Sequence, residues 1–236
     1  MSSDVTTTTV RIWSGLAVRG AFEGGIIADY EARTGNRIAV EWLPTTLIME
    51  RARDDGAVDI LVGIRESVDQ LIADGRIDPA TRVEVAHSRL GLAVAGGAAH
   101  PPIATLDEFR NSLLAARSIA YSRAGASGIH FETVIEQLGI AAEVRSRATV
   151  IPAGFTAEKL VTGEADLAVQ QVSELLVVPG IELVGKFPEA LQKVSSFSAG
   201  VMPGSKNRAA AEAFLASLND PRFHAAYRDS GVDPAV

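Results

Sequence analysis

Two hydrophobic rhythms alternate along this chain. Short β-rich apolar runs are followed by longer stretches whose apolar residues fall every three or four positions. Val10 to Trp13 is the first run; Ser14-Gly15 turns the chain, and Val18, Phe22, Ile26, Ile27 and Tyr30 mark one face of a helix that Gly35 closes. Arg37 to Leu43 predicts a second strand, Pro44-Thr45-Thr46 a turn and N-cap, Leu47 to Arg53 a helix ending near Gly56, and Asp59 to Val62 a third strand. A helix at Ser67 to Asp74, stopped by Gly75, and a strand at Leu90 to Val94 continue the series. After the loop Gly96 to Pro102 the same order returns. A helix is predicted at Leu106 to Ala116, a strand at Ser118 to Tyr121, a turn at Ser122 to Ser127 and a long helix from Gly128 to Leu138. Val144 to Ile151 then reads as a strand, Thr156 to Thr162 as a helix and Leu167 to Val169 as a buried strand. A last strand pair, Ile181 to Val184 and Ser195 to Val201, precedes helices at Asn207 to Leu218 and Arg222 to Ser230. Strands alternating with helices imply largely parallel sheets, because parallel neighbours need a crossover and the helix supplies it.

Length and charge narrow the partners. At 236 residues the chain can form one large domain or two small interleaved lobes, and 47% hydrophobic against 22% charged residues is the balance of an ordinary globular protein. A net charge of -7 without a Lys/Arg cluster opposes nucleic-acid binding. The absence of cysteine removes disulfides, thiolate catalysis and Cys-based metal sites. His87, His100, His130 and His224 lack metal-ligand spacing, and Gly24-Gly25 and Gly96-Gly97 lack the contexts that bind nucleotide phosphates, so no metal or cofactor is expected. No apolar stretch approaches membrane-spanning length. The polar, Thr-rich start Met1 to Thr9 has neither the basic nor the apolar region of a secretory signal, which places the chain as written in the cytoplasm; a processed periplasmic form with a new start Met reads the same.

The strings YEARTGNRIAVEW, GAVDILVGIRESVDQLIADGRI, SRLGLAV, GASGIHFETVIEQLGI and VTGEADLAVQQVSELL, in this order and spacing, carry a family likeness. From Val10 to about Gly231 the chain resembles the periplasmic solute-binding proteins of ABC transporters, specifically the molybdate-binding group. The resemblance implies a two-lobed α/β fold of the type II periplasmic-binding-protein kind, with mixed, mostly parallel sheets flanked by helices and a ligand cleft between lobes. Lobe one would comprise residues 1–88 and 196–236, and lobe two 89–195.

In open α/β sheets ligands lie beyond the carboxyl ends of the strands. The turns Ser14 to Ala17, Pro44 to Thr46, Gly63 to Arg65, Ser122 to Gly128, Pro152 to Phe155 and Gln170-Gln171 are therefore expected to face the ligand. Several open helices, whose free N–H groups and dipole favour an anion. The candidate binding residues are Ser14, Gly15, Thr45, Thr46, Arg65, Ser122, Arg123, Ser127, Gly154 and Gln170. The hydroxyls of Thr45, Thr46 and Ser127 are oxyanion donors on the resemblance and ordinary helix caps otherwise.

The chain also departs from the molybdate binders. It has Ala17 where they carry a first-turn serine, Gln170 where they have a tyrosine, and Gly63-Ile64-Arg65 in place of a small Ser-Ala. The family holds a dianion with neutral donors, whereas a guanidinium at Arg65 or Arg123 matches a carboxylate two oxygens at a time. A small di- or tricarboxylate is therefore favoured over a molybdate-type oxyanion. Each arginine has a plainer reading as a surface residue or a partner of Glu66 or Asp69.

Two functions follow. One is a solute-binding protein that captures a small anion, with an ABC permease as partner. The alternative is a cytoplasmic isomerase on the same fold, moving the double bond of an aconitate-type tricarboxylate, with Glu66, Tyr121 or His130 to carry the proton. A ligand-sensing half of a transcription regulator is set aside, because no DNA-binding segment is present.

Overall fold

A computed structural model of the chain describes residues 7–54 and 58–235. The helix end expected at Gly56 and most of the polar start lie outside them. The chain divides into two compact units, Met1–His87 with Ser196–Val236, and Ser88–Ser195. The first crossing thus falls between His87 and Ser88.

In the first unit, β1 (Thr9–Ser14) leads through a 3-10 turn at Leu16–Val18 into α1 (Arg19–Ala21), a π-helical turn at Phe22–Ile26 and α2 (Ile27–Thr34). The helical run bends at Gly25, whose φ of 149° is outside helical space and is open to glycine alone. After β2 (Arg37–Trp42) come α3 (Thr45–Arg53), β3 (Ile60–Ile64) and α4 (Arg65–Ala73). Strand β1 pairs in parallel with β2 on one side and β3 on the other. This puts the carboxyl ends of all three strands along one edge.

Strand β4 (Val83–Ala95) is far longer than the expected Leu90 to Val94 and carries the chain into the second unit. There α5 (Leu106–Ala115) begins at a reciprocal capping box between Thr105 and Glu108. It is followed by β5 (Ile119–Ser122), α6 (Ala126–Gln137), α7 (Ala141–Arg147), β6 (Thr149–Ile151), α8 (Glu158–Val161), β7 (Leu167–Gln171), α9 (Val172–Leu176) and β8 (Ile181–Lys186). Strand β5 lies parallel to β6 and β7, while β4 runs antiparallel to β7 and β8.

Strand β9 (Val194–Val201) returns to the first unit and pairs antiparallel with β3. Then α10 (Arg208–Ser217), α11 (His224–Asp229) and the short β10 (Asp233–Pro234) complete it.

Three expectations are corrected. Val144 to Arg147 are helical, because Val144 stacks one turn from buried Ile140 and Arg145 reaches Glu132 and Glu136 on α6; only Thr149–Ile151 pair as strand. The helix expected from Thr156 starts at Glu158, since the Thr156 backbone and hydroxyl are taken by Gln170. The strands near Ile181 and Ser195 are not a pair with each other: β8 pairs with β4 and β9 with β3.

Each unit has its own core. In the first, Phe22, Tyr30 and Phe214 meet edge to face, and the Tyr30 hydroxyl donates to Ala210 O, docking α10 on α2. In the second, Phe109, Phe187, Phe131 and Tyr121 form an aromatic chain under the sheet. Burying each such ring contributes about 1.5–3 kcal/mol.

Candidate functional site

The strand-end turns of the second unit form the better-defined rim. Ser122 ends β5, and its hydroxyl accepts the Gly125 N–H at 3.2 Å, shaping the turn into α6. Gly125 is the N-cap of α6 and offers no side-chain cap, so the N–H groups of the first turn stay available. Ser127 is buried to 2% exposure in that turn, and its hydroxyl makes no hydrogen bond to another described residue. Arg123 is exposed, makes no ion pair within 4.0 Å among the described residues, and is fixed through its backbone N–H to Ile151 O at 3.1 Å. An uncapped helix start, a serine hydroxyl and an exposed guanidinium, whose charge also helps hold the Glu132 carboxyl below the usual range, form a surface suited to an anion.

The neighbouring turn is held by Gln170. Its amide nitrogen donates to Gly154 O at 2.9 Å, and its amide oxygen accepts from Thr156 N at 2.8 Å and Thr156 Oγ1 at 3.0 Å. Gln170 therefore shapes the 154–156 turn through its amide oxygen and one of its two amide N–H groups. Gln171 next to it donates to Ser195 Oγ at 2.8 Å and closes a capping box with Glu174.

In the first unit, the three parallel strand ends are stitched by Gly15 N–H to Val62 O at 3.0 Å and Leu43 N–H to Ser14 O at 2.9 Å. Ser14 is fully buried, and its hydroxyl donates to Gly15 O. Thr45 and Thr46 occupy the first turn of α3, whose N-cap Pro44 likewise leaves side-chain capping unfilled. Arg65 opens α4 but is already partnered, 3.1 Å from Glu84, so the plainer reading of an ion-paired residue holds with a different carboxylate from Glu66 or Asp69. Burial alone would raise Glu84, but hydrogen bonds from Arg82 and Ser198 and the charges of Arg82 and Arg65 hold its carboxyl below the usual range.

Two of the three expected proton carriers are otherwise engaged, and the third is exposed. Tyr121 is pushed up to about 12 by burial and by donating its hydroxyl to Glu132. His130 Nε2 sits 2.9 Å from Leu191 O, and Glu66 is exposed on α4. The sequence reading missed Thr156, Glu84, Ser198 and Glu174; of these only Glu174 belongs to a local motif, the capping box with Gln171. An open hollow of about 630 Å³ in the second unit, lined by Val94, Pro102, Ala116, Leu160 and Leu167, lies by the opposite, starting ends of β5 and β7. Its charged members, Arg117 and Asp166, pair with each other. Among the described residues no His, Asp or Glu cluster suits a metal, and no helix is long and apolar enough to cross a membrane.

Two α/β units, each with parallel strands ending in uncapped helix starts, are the architecture of the two-lobed periplasmic binding proteins. The structure matches the Azotobacter vinelandii periplasmic molybdate-binding protein with a TM-score of 0.79 at 16% identity, covering 94% of this chain and 98% of that one. It also matches the sulfate-binding protein SubI from Mycobacterium tuberculosis with a TM-score of 0.75 at 13% identity, covering 97% and 87%. Residues 10–233 match the family of bacterial extracellular solute-binding proteins, and the chain belongs to that family. In sequence it is similar to a curated Pseudomonas protein named aconitate isomerase, 30% identical over 233 residues that cover 96% of this chain and 88% of that protein.

Proposed function

We propose that this protein takes up an aconitate-type unsaturated tricarboxylate and moves its double bond. The observation that carries this reading is the near full-length likeness to a protein named aconitate isomerase, set beside the departures from the molybdate binders at Ala17, Arg65 and Gln170. In this reading the α6 start, Ser127 and Arg123 receive the carboxylates. A proton leaves the methylene carbon, negative charge spreads over the allylic system and a carboxylate, and a proton returns to the former vinyl carbon, with no net change in composition. Helix N–H groups and a guanidinium favour the charge that develops between the two proton transfers.

Incubating the full chain with cis- or trans-aconitate should bring the ultraviolet absorbance to the same mixture from either side. In D2O, solvent deuterium should appear on the product carbon. An unchanged spectrum from saturating aconitate removes the isomerase.

A second reading is favoured by the family itself: capture of a small anion for an ABC permease. A tight, stoichiometric calorimetric response to an aconitate, citrate, molybdate or tungstate, without turnover, distinguishes it.

A further inference from the structure

The first two strands of the first unit bury one face and leave much of the other bare. Along β1, Val10 and Ile12 point into the core, with Ile38, Val40 and Trp42 of β2 packed beside them. The intervening residues point the other way, and the parallel register sets Arg11 beside Ala39 and Trp13 beside Glu41. Trp13 is half-buried against the apolar cluster of α3, β3 and α4, whereas Arg11, Ala39 and Glu41 are exposed. These four residues border an open hollow of about 370 Å³, which buried Val58 also lines. That volume is in the lower part of the range for small-molecule sites.

The polar groups around it are unequally satisfied. The Trp13 indole N–H donates to Glu41 Oε2 at 3.1 Å, Glu41 Oε1 lies 2.6 Å from Arg51 Nη1, and the Arg51 guanidinium stands 5.8 Å from the Trp13 ring centroid. This triangle fixes the indole in one orientation and balances the Glu41 charge with that of Arg51. Arg11 differs. Its backbone N–H donates to Asp59 Oδ2 at 2.8 Å, but its guanidinium has no hydrogen-bond or ion-pair partner among the described residues. Asp59 is itself occupied, accepting from Ser205 Oγ at 2.6 Å and Asn207 Nδ2 at 3.2 Å. The hollow therefore combines one unbalanced positive charge with a fixed aromatic wall and the apolar surfaces of Ala39 and Val58.

We propose that this hollow is a second binding site, independent of the anion rim, for a small aromatic carboxylate. The carboxylate takes the Arg11 fork through two parallel N–H···O bonds, and the flat ring lies against Trp13, Ala39 and Val58. An acid without a ring gains nothing from the indole wall, and an uncharged ring gains nothing from Arg11. The site thus selects molecules that carry both.

Two-dimensional NMR of the nitrogen-15-labelled full chain, titrated with indole-3-carboxylate, reads the site directly: the chain has two tryptophans, and Trp13→Phe assigns their indole N–H signals. The Trp13 signal should shift saturably while that of Trp42, on the opposite face, stays in place. Saturating trans-aconitate should leave the titration unchanged. Arg11→Ala, which keeps the backbone bond to Asp59, should weaken the acid at least about tenfold, and uncharged indole-3-carboxamide should bind the wild type at least about tenfold more weakly than the acid does. A Trp13 signal that does not move at millimolar acid overturns the inference, as does equal binding of acid and amide or of wild type and Arg11→Ala. If the variant fails to fold, the comparison of acid with amide decides alone. Displacement by trans-aconitate would put the aromatic acid on the anion rim and also overturns the second site. Lack of aconitate turnover removes the isomerase reading and leaves this site standing.

Discussion

A β-carbon on Gly128 would stand 1.5 Å from the carbonyl oxygen of Ser122. The first turn of α6 thus lies directly against the end of β5, and only glycine permits the approach. Because the obstacle is backbone, it cannot rotate away. We expect Gly128→Ala to destabilise the protein by at least about 2 kcal/mol, lowering the midpoint of thermal unfolding by roughly 4–8 °C. A midpoint unchanged within error would show that the helix shifts freely, and with it the anion rim.

Ser127 tests the rim without disturbing the fold. Its hydroxyl has no partner within the described chain, so Ser127→Ala removes no internal hydrogen bond. Stability should change by less than about 0.5 kcal/mol, while a lost hydrogen bond to a charged ligand costs about 1.5–3 kcal/mol, or some 10- to 100-fold in Kd. Equal calorimetric affinities of the two proteins would remove Ser127 from the site.

The two arginines should behave differently. Arg123 has no ion-pair partner within 4.0 Å among the described residues, so Arg123→Ala should weaken an organic acid at least tenfold with little effect on folding. Arg65 is engaged by Glu84, and Arg65→Ala should cost less affinity. Glu84→Gln should release the Arg65 fork and partly strengthen carboxylate binding. A larger loss from Arg65→Ala than from Arg123→Ala would reverse this assignment.

Glu174 makes stability depend on pH in a definite direction. Its folded value, about 7, lies above the ordinary 4.5, so its contribution is fully present below 4.5 and is lost as pH rises through 7. The difference corresponds to at most about 3 kcal/mol. Denaturant unfolding at about pH 4 and pH 8 should show Glu174→Gln gaining stability relative to wild type only at the higher pH. Parallel pH dependences would mean that burial leaves the carboxyl unperturbed.

Periodicity, glycines and helix-start residues determined much of this molecule before any tertiary contact was known. The alternation of strand and helix, the turns after β1, β3, β5 and β7, and the uncapped start of α6 all follow from residues within a few positions of one another, where local sterics and backbone hydrogen bonding dominate. Val144 shows the limit. Its spacing suits a strand and a helix alike, and packing beside Ile140 decided for the helix. The chemistry of the rim was decided at longer range. Gln170 is engaged by Gly154 and Thr156, Arg65 is taken by Glu84, and Glu174 is buried, all through partners many residues distant or through burial itself. Free donors and engaged donors look identical in a sequence, because the difference lies in which distant atoms the fold brings within hydrogen-bond reach.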